Sequence, residues 1–302
     1  MKMPGPDPIQ PDASHTVGSA VRELTAHLAR AGIGGAAGDV RRLVAGALGI
    51  SGADILKAPE RGLNTAELQL LQTYVERRRL HEPVSRILGE RDFYGRAFAI
   101  SPATLDPRPD SETLVDAALE IVREEDWMSQ PLRILDVGTG SGCLLLTLLC
   151  ELPQATGLGT DISVAALDVA AHNAGRHGLE QRVEWLHADG LENIVGPFHL
   201  LVANPPYVRT ADIAGLEPEV RNFDPSEALD GGPDGLAMYR RLARGIATVI
   251  QAAGWVVFEV GHDQADQVIA LLSREAGMDV TQIRVRLDVA GKRRCVATRT
   301  LG

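Results

Sequence analysis

The chain has 302 residues, 45% of them apolar and 23% charged, which is enough to bury a sizeable core and excludes a disordered protein. Its formal net charge of −10 is opposite to the basic footprint of a protein that binds through nucleic-acid phosphates, so DNA is not expected as a partner. The three cysteines, Cys143, Cys150 and Cys295, form no CxxC pair, and no apolar run reaches the roughly 18 residues of a membrane span; a cytoplasmic protein with no disulfide framework, metal site or membrane anchor is expected.

In chain order, the proline-rich residues 1–14 read as a flexible tail. Residues 15–89 carry apolar positions at helical spacing, such as Val17, Val21, Leu24 and Leu28, and then Leu68, Leu71 and Val75, which predicts a small helical domain. Asn64, with Glu67 three residues on, has the form of a capping box for its last long helix. Residues 90–109 follow as a β-hairpin linker around Gly95 ("RDFYGRAFAI") and the loop "SPATLDPRPD". From residue 110 onward Asp110 or Ser111 is placed to cap an amphipathic helix, "SETLVDAALEIVRE".

After Pro131 short apolar runs alternate with helical patterns. Strands are predicted at "RILDVG", "ATGLGTD", "VEWLHA", "HLLVAN", "WVVFEV", "TQIRVRLD" and "CVATRT", and helices between them include "LAMYRRLARGIATVIQAAG". Continuously apolar strands separated by helices make a mostly parallel sheet covered on both faces, and the short turn "AGKRR" makes the last strand antiparallel. The fold class is therefore α/β, a seven-stranded sheet with an antiparallel terminal hairpin over 110–302.

The turn "LDVGTGSGC" sets Gly138, Gly140 and Gly142 between the first strand of this sheet and a helix, where backbone can approach a ligand closely. The strands that follow end in Asp161, Asp189 and Asn204, and with Asp136 four polar groups are expected at one sheet edge. The glycines read G-x-G-x-G rather than the dinucleotide G-x-G-x-x-G, and no Gly-Lys-Ser/Thr follows. Carboxylates around such a loop repel pyrophosphate but suit a nucleoside that carries positive charge, as S-adenosylmethionine does.

"NPPY", Asn204 to Tyr207, ends the fourth strand. Paired prolines stop a strand rigidly, and the asparagine amide beside them offers a hydrogen-bond acceptor. That constellation suits methylation of a planar nitrogen. The segment 208–235 after it, "VRTADIAGLEPEVRNFDPSEALDGGPDG", is long enough to be a cover for the same pocket.

Together "EPVSRILGERDFYG", "SPATLDPRPDSETLVD", "ILDVGTGSG", "GTDIS", "NPPYV", "EPEVRNFDPSEALDGGPDGLAMYRRL" and "GWVVFEVG" resemble the class I S-adenosylmethionine-dependent methyltransferases, and among them the release-factor glutamine N5-methyltransferases of the PrmC/HemK group. The resemblance implies a Rossmann-like methyltransferase domain and an N-terminal substrate-recognition domain. The implied enzyme is a monomer that methylates the glutamine of the GGQ loop in peptide chain release factors. It implies cofactor contacts at Gly138, Thr139, Gly140, Ser141, Gly142, Asp161, Asp189, Gly190 and Asn204. Substrate contacts are implied at Asn204, Pro205, Pro206 and Tyr207, with Asn204, Pro205 and Tyr207 catalytic and Tyr207 against the target amide or closing off solvent. Members of the group often have a bulky aromatic where this chain has Gly190, so no side-chain stacking is expected there. Adenine-N6 DNA methylation, ribosomal-protein glutamine methylation and a non-catalytic binder are the alternatives. The acidic balance, the loop "PRPDSE" and the intact tetrapeptide weigh against them in turn.

Overall fold

The computed structural model describes residues 15–301, so the tail read over 1–14 lies outside the described residues. The chain divides into two compact units, one up to Gly89 and one from Glu90.

The first unit is helical: α1 (Val17–Arg30), α2 (Ala36–Leu48), α3 (Gly52–Lys57), α4 (Thr65–Arg79) and α5 (Val84–Leu88). Its core gathers the apolar stripes seen in the sequence, with Val17, Leu28, Val40, Leu43 and Val44 fully buried. Asn64 caps α4 through Glu67 N while the Glu67 carboxylate accepts from Asn64 N, both at 2.9 Å, which is the expected box.

The second unit opens with a hairpin, β1 (Glu90–Phe93) and β2 (Arg96–Ala99), turned by Tyr94 and Gly95, both with positive φ. Phe93 and Phe98 lie in this unit's core, so the segment read as a linker is built into it. There follow α6 (Glu112–Glu124), β3 (Arg133–Val137), α7 (Cys143–Glu151), β4 (Thr156–Asp161), α8 (Val164–His177), β5 (Val183–His187), β6 (Phe198–Ala203), α9 (Pro218–Arg221), α10 (Ala237–Val249), β7 (Ile250–Glu259), α11 (Ala265–Glu275), β8 (Met278–Leu287) and β9 (Arg293–Thr300). The seven strands β3–β9 pair in the order β5-β4-β3-β6-β7-β9-β8. The first five neighbours are parallel and β9 runs antiparallel to both β7 and β8, as the strand pattern requires. One apolar layer lies on each face of the sheet, one built with α6 and α7, the other with α10 and α11.

Two local expectations change. The helix predicted through Gly254 ends at Val249, because Ile250 is already extended and pairs with Phe198; the run Gln251–Gly254 then forms an irregularity, with Ala253 at φ 59°, before regular pairing resumes at Leu200 and Trp255. Neither Asp110 nor Ser111 caps α6 with its side chain. Both are engaged elsewhere, as follows.

Candidate active site

The carboxyl ends of β3, β4 and β6 and the loops that leave them enclose a cavity of about 680 Å³. Gly138, Thr139, Gly140, Ser141, Asp161, Asp189, Gly190, Asn204, Pro205 and Pro206 all line it, so the structure brings the glycine loop and the tetrapeptide into one space. Gly142 and Tyr207 do not line it.

The loop after β3 is held from below and behind. Gly138 N and Thr139 N donate to Thr160 O at 2.9 and 2.8 Å, and Gly140 N donates to the Asp161 carboxylate at 2.9 Å. Gly138 (φ 72°) and Gly140 (φ 56°) are left-handed, and a Cβ on either would meet nothing within 4 Å, so both present bare backbone to the cavity. The other oxygen of Asp161 accepts from Ser163 N at 2.9 Å, which fixes the carboxylate with lone pairs to spare on both oxygens. Behind the loop, Asn173 of α8 is fully buried; it donates to Ser141 O and Ala99 O at 2.9 Å and accepts from Ala99 N at 2.8 Å, so one side chain ties loop, helix and hairpin together.

Asp136 departs from expectation. It does not reach the edge with the other three polar groups but lies fully buried beneath the loop, where its carboxylate accepts from the Thr139 hydroxyl at 2.6 Å. Burial, reinforced by the nearby Asp161 charge, pushes its carboxyl up to about 7, against the pull of the Thr139 bond. Cys143 does line the cavity, but burial pushes its thiol up to about 12, which leaves no nucleophilic thiolate near neutrality.

Gly190 (φ 64°) follows Asp189 in a turn gripped by Arg241 of α10. The guanidinium pairs with the Asp189 carboxylate, donates to Asp189 O at 3.1 Å and to Glu192 at 2.6 Å. A Cβ on Gly190 would lie 3.2 Å from Arg241 Nε, so an arginine occupies the direction in which a side chain at 190 would project.

The tetrapeptide is packed on backbone. A Cβ on Gly231 would lie 2.8 Å from Pro206 O, and one on Gly235 would lie 2.4 Å from Tyr207 O, so "GGPDG" is a close-approach surface for this loop. Gln264, 2% exposed, donates to Tyr207 O at 3.0 Å and to Gly235 O at 3.3 Å. The Tyr207 ring turns inward rather than to the cavity, and its hydroxyl donates to Glu259 at 3.3 Å; burial and that carboxylate together hold the phenol well above its ordinary range. Asn204 Nδ2 donates to the Ser111 hydroxyl at 3.3 Å, which explains why Ser111 caps nothing, and Asp110 pairs with Arg294 at 3.0 Å.

The long segment after the tetrapeptide folds back on it. Val208 N donates to Leu229 O at 3.0 Å, Gly231 N donates to Val208 O at 2.8 Å, and Thr210 N donates to Gly232 O at 3.0 Å. Pro225, Glu227 and Ala228 line the cavity, while the buried Asp224 carboxylate pairs with Arg108 of the "PRPD" loop and accepts from Asp106 N at 3.2 Å. Sequence reasoning quoted that loop without seeing its partner 116 residues away. It read Ser111 only as a helix cap, not as a partner of Asn204, and it missed Glu259, Gln264 and Arg241. Only Glu259 left a visible signal, a lone carboxylate at the end of the apolar run "WVVFEV".

The family model described as the PrmC N-terminal domain matches residues 19–89, and that of the methyltransferase small domain matches residues 111–216. A release factor glutamine methyltransferase of Rhodospirillum rubrum is 46% identical over 261 residues, covering 86% of this chain and 78% of that one. Another, of Bradyrhizobium diazoefficiens, is 42% identical over 291 residues, covering 96% and 97%. Among solved structures, the hMettl16 catalytic domain in complex with MAT2A 3′UTR hairpin 6 matches with a TM-score of 0.51 at 17% identity, covering 69% of this chain and 79% of that one; this likeness concerns the fold alone.

Proposed function

Because this chain belongs to the family of release factor glutamine methyltransferases, we propose that it transfers a methyl group from S-adenosylmethionine to the side-chain amide nitrogen (N5) of the glutamine in the GGQ loop of peptide chain release factors. The observation that carries this reading is that Asn204, Pro205 and Pro206 share one cavity with Gly138–Ser141, Asp161 and Asp189.

The residues present fit the cofactor. Bare glycine backbone and anchored carboxylates form a concave, negatively charged lining suited to a cationic nucleoside and repellent to a pyrophosphate. Asp161 would accept from the ribose hydroxyls, the Asp189–Gly190 turn would contact the adenine, and Gly138–Ser141 with Asn204 would hold the rest, while Gly142 lies off the cavity and takes no part. When bound, S-adenosylmethionine supplies an electrophilic methyl on a positively charged sulfur.

The amide nitrogen of glutamine is a poor nucleophile because its lone pair is delocalised into the carbonyl. Asn204 Oδ1 and the Pro205 carbonyl are the two acceptors for its N–H groups, and they fix its direction. As positive charge develops on that nitrogen, the same carbonyl dipoles stabilise it without reorganisation, since the two prolines and the glycine surface beneath keep them in place. Positioning carries the reaction and no strong base is needed. Tyr207 supports the loop from inside, through Glu259.

The helical unit is proposed to recognise the release factor, and the protein is proposed to act as a monomer. No helix among the described residues is long and apolar enough to cross a membrane; the cytoplasm, where release factors act, is the proposed location. The test is mass spectrometry of a release factor before and after incubation with enzyme and cofactor. A gain of one methyl on the GGQ glutamine is expected, and methylation of DNA or of a ribosomal protein without it would overturn the reading.

A further inference from the structure

We propose that Met238 of α10 is the contact for the adenine ring of S-adenosylmethionine, in place of a side chain that the Asp189–Gly190 turn does not supply. The inference rests on the cofactor reading given above and names the residue that meets the base.

α10 buries one face, Tyr239, Leu242, Ala243 and Ile246, against the sheet. Met238, Arg241 and Gly245, at spacings of three and four residues, form the stripe beside it. That stripe faces the loop after β5. A Cβ on Gly245 would lie 2.9 Å from Leu191 Cδ1, and one on Gly190 would lie 3.2 Å from Arg241 Nε. Arg241 pairs with the Asp189 carboxylate and donates to Asp189 O at 3.1 Å, so it holds the turn against the helix. Met238 stands one helical turn nearer the N-terminus of α10 and lines the cavity together with Ala188, Asp189 and Gly190.

The turn by itself offers a purine little. Gly190 has no side chain, Ala188 has a single methyl group, and the Asp189 carboxylate is taken up by Arg241. Ala188 N donates to Asp161 O at 3.1 Å, so the turn adjoins the residue assigned to the ribose, and the base on that ribose falls at this end of the cavity. The flat face of an adenine gains by leaving water only where apolar or polarisable atoms receive it. Of the lining residues next to the turn, Ile162 and Met238 carry large apolar side chains. Ile162 is 56% exposed and lies beside the ribose carboxylate. Met238 is half-buried, and its unbranched thioether is suited to a ring, since sulfur makes favourable contacts with aromatic systems and the chain adapts to their shape. With Arg241 filling the direction of a side chain at 190, α10 rather than the turn delivers the group that covers the base.

The test needs no turnover. The protein is exposed to hydrogen peroxide, and sulfoxide formation at each methionine is followed by peptide mass spectrometry, alone and with an excess of S-adenosylmethionine, of adenosine, or of norleucine as a sulfur-free analogue of the amino-acid part. Met238 is expected to oxidise at least about fivefold more slowly with S-adenosylmethionine or adenosine but not with norleucine. Met128, 39% exposed and off the cavity, is the internal control and should not change. In calorimetry, Met238→Ala is expected to raise the cofactor Kd about tenfold while Met238→Leu, which keeps the volume, stays within about threefold, both with melting midpoints close to the parent's. Equal oxidation of Met238 with and without S-adenosylmethionine, protection by norleucine equal to that by adenosine, or a Kd for Met238→Ala within about twofold of the parent would overturn the assignment. Absence of S-adenosylmethionine binding by the parent protein would instead overturn the cofactor reading on which it rests.

Discussion

Gly235→Ala tests how tightly the tetrapeptide loop is held. Gly235 has a φ of 75°, and a Cβ there would lie 2.3 Å from Gln264 Nε2 and 2.4 Å from Tyr207 O. The left-handed backbone costs an alanine about 1–2 kcal/mol. The overlap with a main-chain oxygen forces a shift of roughly an ångström, worth a further ~1–3 kcal/mol in a packed site. The methyl also wedges between Tyr207 O and the Gln264 amide, which bond at 3.0 Å in a region only 2% exposed at Gln264. A loss of roughly 2–5 kcal/mol is expected from the sum of these terms. Urea unfolding followed by tryptophan fluorescence measures it in the right unit, since all three tryptophans, Trp127, Trp185 and Trp255, lie beyond Glu90. Turnover should fall at least about tenfold, because Asn204 and Pro205 move with the loop. Gly215→Ala is the control, with nothing within 4 Å of its Cβ, and should lie within about 0.5 kcal/mol of the parent. If Gly235→Ala matches that control in stability and turnover, the close-packed loop is not what holds the site.

Asp161→Ala removes the acceptor for Gly140 N and Ser163 N, both at 2.9 Å, and should weaken cofactor affinity by roughly 10- to 100-fold in calorimetry; an unchanged Kd would remove the ribose role. For Asp136, burial raises the folded-state carboxyl to about 7 from an unfolded value near 3.8, so the folded state holds the extra proton between those values. Stability from this group is then fully present below about pH 4 and is lost as pH rises through 7, with a slope of at most about 1.4 kcal/mol per pH unit. Asp136→Asn should flatten that part of the pH dependence of the urea midpoint, and identical profiles for the two proteins would refute the assignment.

The layered α/β order, the antiparallel last strand and the capping box at Asn64 were legible because each rests on a local signal: strand length, turn length and a three-residue spacing. The candidate ligand-facing residues were legible for the same reason, as they end consecutive strands. Asp136 was misread because its strand position is that of its neighbours while its side chain turns under the loop, a choice fixed by Thr139 three residues on. The end of α10 was misread because "IQAAG" suits a helix by composition, and pairing with Phe198 overrides it. The residues that support the site were invisible because their partners are remote: Arg108 with Asp224, Asn173 with Ala99, Ser111 with Asn204. The missing aromatic at Gly190 was seen, but not that Arg241 comes across from α10 to occupy its direction.

The account stands most directly on the acceptor pair at Asn204 and Pro205. Single-turnover methylation of a release factor by Asn204→Ala, set beside calorimetric cofactor affinity, separates target positioning from cofactor binding. The expected result is a rate lower by about 10²–10³, the scale of a lost preorganised dipole, with Kd changed by less than about threefold. A rate within about threefold of the parent, or a loss of rate matched by an equal loss of cofactor affinity, would contradict it.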